Sequence, residues 1–158
     1  MLDIRDARSG DEDAIVSLLR EFAEFERLTH IFQLTPEIIR RDFIGERRRV
    51  QCAVAEVDGA IVGLMTWFPS YRTFAAKPGI FLEDLYIKPE FRRRGIARAM
   101  LQHLAQRALK EGSDHIDWSV LDWNRSAVEF YEGLGAQHAP EWQIYGLSAD
   151  ALAELAKA

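Results

Sequence analysis

Glu83 and Asp84 stand in the middle of the apolar run FLEDLYI, and shortly after it Arg92, Arg93 and Arg94 lead through Gly95 into a helix-like segment. Carboxylates inside an apolar strand are costly unless paired. A cation therefore belongs beside them, either a substrate amine or one of the chain's own arginines. Neighbours on a regular strand point to opposite faces, so one acid can face a cleft while the other pairs elsewhere, unless a bulge redirects them. The basic turn suits the opposite charge. A strand that feeds a helix through a tight loop aims free N–H groups and the positive end of the helix dipole at one point, which suits a phosphate or pyrophosphate. Gly95 lets backbone and ligand approach closely, small Ala97 leaves the first helical turn uncrowded, and Arg98 adds charge. The alternative is a solvated basic helix start, where each cation opposes the dipole by roughly 0.3 kcal/mol or more. The stretch RRRGIA has neither the Gly-Lys-Ser/Thr ending of a nucleoside-triphosphate loop nor the several glycines of a dinucleotide fingerprint.

Other reactive side chains read less sharply. Tyr131, in EFYEGL, is a phenol that can give up a proton or an amphipathic ring buried at a helix end. Glu26 alone reads as a solvated helix-end residue. Cys52 sits in an apolar run and reads as core rather than as an acyl-carrying nucleophile. His30, His103, His115 and His138 lack metal-ligand spacing, and no metal is expected. Trp118 and Trp123 read as core or cleft wall. Arg72, before the acidic strand, is the candidate cation for a carboxylate-bearing substrate.

The elements that position these residues follow from periodicity. LDIRDA alternates as a first strand, and Ser9 with Glu12 has capping-box spacing ahead of a helix running to about Glu26. Thr35-Pro36 opens a short helix through Phe43. VQCAVAEV and AIVGLMTWF flank Asp58-Gly59 as a hairpin, PSYRTFAAKPG reads as a loop, and IFLEDLYI as a strand. After the basic turn a helix runs to near Gly112, followed by strand HIDWSVL. Asn124 or Ser126 caps a short helix AVEFYEGL, WQIYGL reads as a last strand, and Ser148 caps a terminal helix. The fold class is α/β, a mixed (α+β) central sheet flanked by helices, with antiparallel pairing early and a crossover after Ile87.

The chain of 158 residues suits a single domain spanning 1–158. A net charge of −5 argues against general nucleic-acid binding. With Cys52 alone, no internal disulfide can form. The acidic N-terminus does not read as a signal peptide, and the longest apolar stretch is too short to span a membrane, so a cytoplasmic location is expected.

Arg92-x-x-Gly95-x-Ala97, after a strand and opening a helix, resembles the Arg/Gln-x-x-Gly-x-Gly/Ala acetyl-CoA loop of the GNAT N-acetyltransferase superfamily. Within it, EFAEFE, LEDLYIKPEFRRRGIA, DWNRSAVEFYEGLGA and EW near 141 occur in the order seen in the diamine (spermidine/spermine) acetyltransferases, so the resemblance covers nearly the whole chain. It implies a twisted mixed sheet splayed open between two central strands, and acetyl-CoA as co-substrate. The backbone of Leu85, Tyr86 and Ile87 would hold the pantetheine arm, and the turn from Arg92 and Arg93 through Arg94, Gly95, Ile96, Ala97 and Arg98 the pyrophosphate. Asn124, Ser126 and Tyr131 would touch the cofactor, with Tyr131 as general acid. Glu83 would contact the amine and pass its proton to water, and Glu26 and Asp84, with Glu141 as a further candidate, would add negative charge. Two positions depart from the pattern: Arg93 stands where glycine is frequent, and so does Ala97. The resemblance implies direct acetyl transfer in a ternary complex to a small cationic polyamine-like amine, and a homodimer. The same chemistry on a lysine analogue, amino acid or protein lysine is the enzymatic alternative. A module binding an acidic partner is the non-enzymatic one.

Overall fold

Asp58 and Gly59 both take positive φ, 50° and 85°. They close the hairpin between β2 (Gln51–Val57) and β3 (Ala60–Arg72) with the twist such a two-residue turn supplies. In this computed structural model, which describes residues 1–157, β1 (Leu2–Asp6) and β4 (Lys77–Ile87) pair antiparallel on either side of that hairpin. β5 (Ile116–Trp118) then pairs parallel to β4, giving the order β1-β2-β3-β4-β5. The expected mixed sheet flanked by helices is what forms.

α1 (Glu12–Phe25) and α2 (Pro36–Ile39, continued by a wider π turn over Arg40–Ile44) cover one face. Ile15, Leu18, Ile39 and Phe43 meet Cys52, Val54, Leu64 and Tyr86 there. α3 (Ile96–Lys110) makes the crossover from β4 to β5 and covers the other face, where Met100 and Leu104 meet Ala53, Met65, Trp67, Ile80 and Leu82. Alternate residues of β2 feed the two cores, as a strand buried on both sides requires. The chain divides into two compact units, Met1–Ser119, which holds the sheet, and a second from Val120 on, which contains α4 (Arg125–Glu132) and α5 (Ala149–Leu155).

Four expectations are corrected. α1 begins at Glu12 rather than after a Ser9 cap, because Glu12 accepts from the Gly10 N–H at 2.7 Å and Asp11 accepts from the Arg8 N–H at 2.8 Å. Arg5 also holds Asp11, at 2.8 and 3.0 Å, which fixes the acid away from the helix N–H groups. The stretch 69–79 is not a loop. β3 and β4 extend through it as a long hairpin, with Pro69 opposite Ile80 and Pro78 opposite Tyr71. Both prolines are tolerated because each lies where its strand has a neighbour on one side only, β2 ending opposite Trp67 and β5 starting opposite Ile80. β5 is also shorter than HIDWSVL suggests. WQIYGL forms no strand: Trp142, Ile144 and Tyr145 stand exposed and pair with no other segment among the described residues.

Candidate active site

The acids of β4 are placed by a break in its register. Thr66 faces Asp84 but Trp67 faces Leu82, which leaves Glu83 unmatched as the extra residue of a β-bulge. The consequence is visible in the packing. Ile80 and Leu82 enter the core under α3, and so do Leu85 and Ile87, so the pattern changes from even to odd across Glu83. Tyr86 accordingly belongs to the opposite core, under α1. Asp84 shares the phase of Tyr86 and goes to the α1 side, while Glu83 is exposed on the bulge.

There Asp84 meets two partners. Wholly buried Thr66 donates its hydroxyl to the carboxylate, and half-buried Glu26, at the C-terminal end of α1, approaches as a like charge. Burial pushes the Asp84 carboxyl up to about 6, against the Thr66 hydrogen bond and with Glu83 adding to it. The Glu26 carboxyl is raised by burial first and then by Asp84 and Glu83. Glu26, Glu83 and Asp84 are thus brought together, and among the described residues no lysine or arginine forms an ion pair with any of them. The internal salt bridge that the sequence left open is absent among those residues. Three gathered carboxylates of this kind can receive an ammonium group.

The turn after β4 is built with two left-handed residues. Gly95 has φ 78°, and Arg93, at a position without glycine's freedom, has φ 63° at a cost of about 1–2 kcal/mol. A side chain built at Gly95 would meet no protein atom within 4 Å. Backbone shape is what asks for glycine there, and the space beside it is open. Arg92 does not aim its guanidinium at that space: its Nε donates to the Ile87 carbonyl at 2.9 Å, and its guanidinium lies 5.5 Å from the ring centres of both Phe25 and Tyr86. It braces β4 against α1. Arg94 lies 5.1 Å over the Phe91 ring, Arg93 and Arg98 are exposed, buried Ile96 anchors the helix start, and Ala97 is half-buried. The anion-directed groups are therefore the backbone N–H groups at the head of α3 with exposed arginines around them, an arrangement that fits a pyrophosphate.

Beside this turn the sheet has an open edge. β5 accompanies β4 only over Ile80–Leu82, so Leu85, Tyr86 and Ile87 have β3 on one side and, among the described residues, no strand on the other. The Lys88 N–H is donated to Val62 on β3 at 2.9 Å. By alternation Tyr86 also turns its backbone toward β3, and Leu85 and Ile87 turn theirs to the open edge. With the Ile87 carbonyl held by Arg92, the Leu85 amide and carbonyl and the Ile87 N–H are the groups left to hold an extended amide-bearing ligand. The Tyr86 side chain is structural: its hydroxyl donates to Glu21 at 3.3 Å and its ring stacks on Phe22 at 5.4 Å.

In the second unit Asn124 caps α4, its side-chain oxygen accepting from the Ala127 N–H at 3.3 Å. Ser126 is exposed in the first turn, and Tyr131 is half-buried with its ring 5.4 Å from that of Phe130. Cys52 is buried core, and burial pushes its thiol up, which suits packing and not nucleophilic attack. Arg72 is committed to Asp117 through contacts of 2.9 and 3.1 Å. Among the described residues no group of three or more His, Cys, Asp or Glu gathers to hold a metal ion. Sequence reasoning missed Thr66 and the bracing role of Arg92. The one polar residue inside the buried run GLMTWF was the available signal for the first.

The sequence profile of the acetyltransferase (GNAT) family matches residues 13–136. The chain belongs to this family. GNAT acetyltransferases use acetyl-CoA as co-substrate, and this member is an N-acetyltransferase by family. It is 37% identical over 164 residues to the thialysine N-epsilon-acetyltransferase of Bos taurus, covering 97% of this chain and 96% of that protein. It is also 26% identical over 163 residues to the spermidine/spermine N(1)-acetyltransferase-like protein 1 of Homo sapiens, covering 97% of this chain and 23% of that protein. An aminoglycoside acetyltransferase from an uncultured soil sample shares the fold of this GNAT chain, with a TM-score of 0.76 at 19% identity over 93% of this chain and 97% of that one.

Proposed function

We propose that this GNAT enzyme acetylates a primary amine of a small polyamine-like cation, by direct transfer in a ternary complex with acetyl-CoA. The observation that carries the reading is the gathering of Glu26, Glu83 and Asp84 without a cationic partner among the described residues. A flexible polycation supplies the missing charge along such a site. Acetyl-CoA supplies a thioester already activated toward an amine. The head of α3 holds its pyrophosphate through backbone N–H groups, Leu85 and Ile87 hold its extended arm, and Asn124 and Ser126 are assigned cofactor contacts. Substrate ammonium, with a pKa near ~10, must lose a proton before it can attack. Glu83, exposed on the bulge, passes that proton to water, and the Tyr131 hydroxyl donates one to the departing sulfur. The chain acts as one cytoplasmic domain over 1–158 and as a homodimer, supported by the exposed apolar side chains of Trp142, Ile144 and Tyr145, which a second copy can cover.

A second reading, a lysine-like amino acid bearing a terminal amine, is favoured by the similarity to thialysine acetyltransferase over nearly the whole of both chains. It needs a cation for the substrate carboxylate, and Arg72 is already paired with Asp117. A free-CoA release assay on polyamines, thialysine, ornithine, other amino acids and a basic peptide separates the two. Turnover of diamines above amino acids supports the first. Preference for thialysine or ornithine transfers the assignment to the second, and acetyl-CoA binding with silence across the panel overturns both.

A further inference from the structure

Cys52, Thr66 and Asp84 lie side by side across β2, β3 and β4, since Cys52 is in register with Thr66 and Thr66 with Asp84. Thr66 has no exposed surface, and its hydroxyl is directed across the ladder to the Asp84 carboxylate. The contact falls at the bulge, where the loss of a regular ladder pair gives the acid more freedom than elsewhere on the strand. We propose that Thr66 is a positioning residue, whose hydroxyl fixes the Asp84 carboxylate in the orientation that receives the substrate amine. The inference rests on the reading of Asp84 as part of the amine site and adds the residue that makes it usable there.

Several features support this role over simple packing. The flanking β3 residues Leu64, Met65 and Trp67 are apolar and buried, so a hydroxyl in this row is a liability unless it has a partner. Its partner among the described residues is an acid that the fold otherwise works against. Glu83 on the same strand and Glu26 at the end of α1 face Asp84 as like charges. Cys52, from β2, is buried as a neutral thiol and offers the carboxylate no opposite charge. The Thr66 hydroxyl is thus the favourable contact that keeps the acid ionised, and burial opposes it.

The test uses Thr66→Val, Thr66→Ser and Asp84→Asn in the full chain, measuring kcat/KM for the preferred amine across pH and acetyl-CoA affinity by calorimetry. Removing the hydroxyl moves the acid limb of the amine profile upward by about one pH unit, equivalent to roughly tenfold lower kcat/KM on that limb. Thr66→Ser restores the limb, and acetyl-CoA affinity stays within about twofold, which a general loss of structure would not produce. If Thr66→Val does not fold, Thr66→Ala removes the same hydroxyl and is read the same way. An unmoved limb in the hydroxyl-less variant, with amine kinetics impaired in Asp84→Asn, overturns the positioning role and leaves the site reading standing. Unchanged amine kinetics in Asp84→Asn overturn the site reading and the positioning role together.

Discussion

Asp84→Asn should make the protein more stable at neutral pH while it impairs amine acetylation. The carboxyl stands at about 6 in the fold against an ordinary 3.8. A carboxyl raised on folding binds its proton more tightly in the native state, so stability falls as pH rises through the interval between those two values. Well below pH 4 the residue is protonated in both states and costs nothing; well above pH 6 the cost is complete. At ~1.4 kcal/mol per pH unit, keeping Asp84 charged costs the native state up to roughly 3 kcal/mol. Asparagine still accepts the Thr66 hydroxyl and carries no charge. The variant should therefore exceed the parent by about 1–3 kcal/mol at pH 8, a melting increase of roughly 3–10 °C for a chain of this size. The gap should close near pH 4. Urea unfolding of both proteins at pH 4, 6 and 8 measures it, and comparison at each pH removes the contribution of the titrating groups that Asp84 does not touch, while relief of Glu26 adds to the gain. Equal stability at pH 8, or a gap at pH 4 as large as that at pH 8, would refute the burial argument.

Gly95→Val forces a β-branched side chain to φ 78°, which costs about 1–2 kcal/mol or moves the turn. Acetyl-CoA affinity by calorimetry should fall at least tenfold, and normal affinity would remove the pyrophosphate assignment. Tyr131→Phe should lower kcat by roughly 10²-fold or more with acetyl-CoA affinity nearly unchanged, as expected for loss of a proton donor; turnover equal to the parent's excludes the phenol from that role. Gly79→Ala places a methyl group 2.0 Å from the His115 Nε2. His115 is also held by Asp114 at 2.6 Å, so the strain should lower the unfolding midpoint by the equivalent of about 1–3 kcal/mol, and an unchanged midpoint would show that the ring yields freely.

Much of this arrangement was legible in the sequence because the signals were local. Asp58-Gly59 dictates its own hairpin, Thr35 caps α2 through the Ile38 N–H, and Gly95 takes the left-handed conformation that only glycine adopts at little cost. The acids Glu83 and Asp84 announced themselves by standing where an apolar strand does not tolerate them. What escaped depended on partners distant in the chain. Pro69 and Pro78 looked like breakers because a proline's cost depends on whether another strand lies beside it, and that is decided by where β2 and β5 end. WQIYGL has the alternation of a strand and lacks a ladder. Arg92 carries the charge of a phosphate ligand, yet the Ile87 carbonyl and two aromatic rings hold it first.

The bulge at Glu83 divides β4 into two stretches with separate duties. From Ile80 to Leu82 the strand is held from both sides, with Ile80 and Leu82 fixed in the core. Beyond it one edge is open and the side chains have exchanged faces. The extra residue itself is exposed and sits between the two regimes. Chemical character can therefore be altered at position 83 with little effect on packing, which makes it a natural tuning point at which related enzymes, or an engineer, can change the accepted amine while the scaffold stays the same.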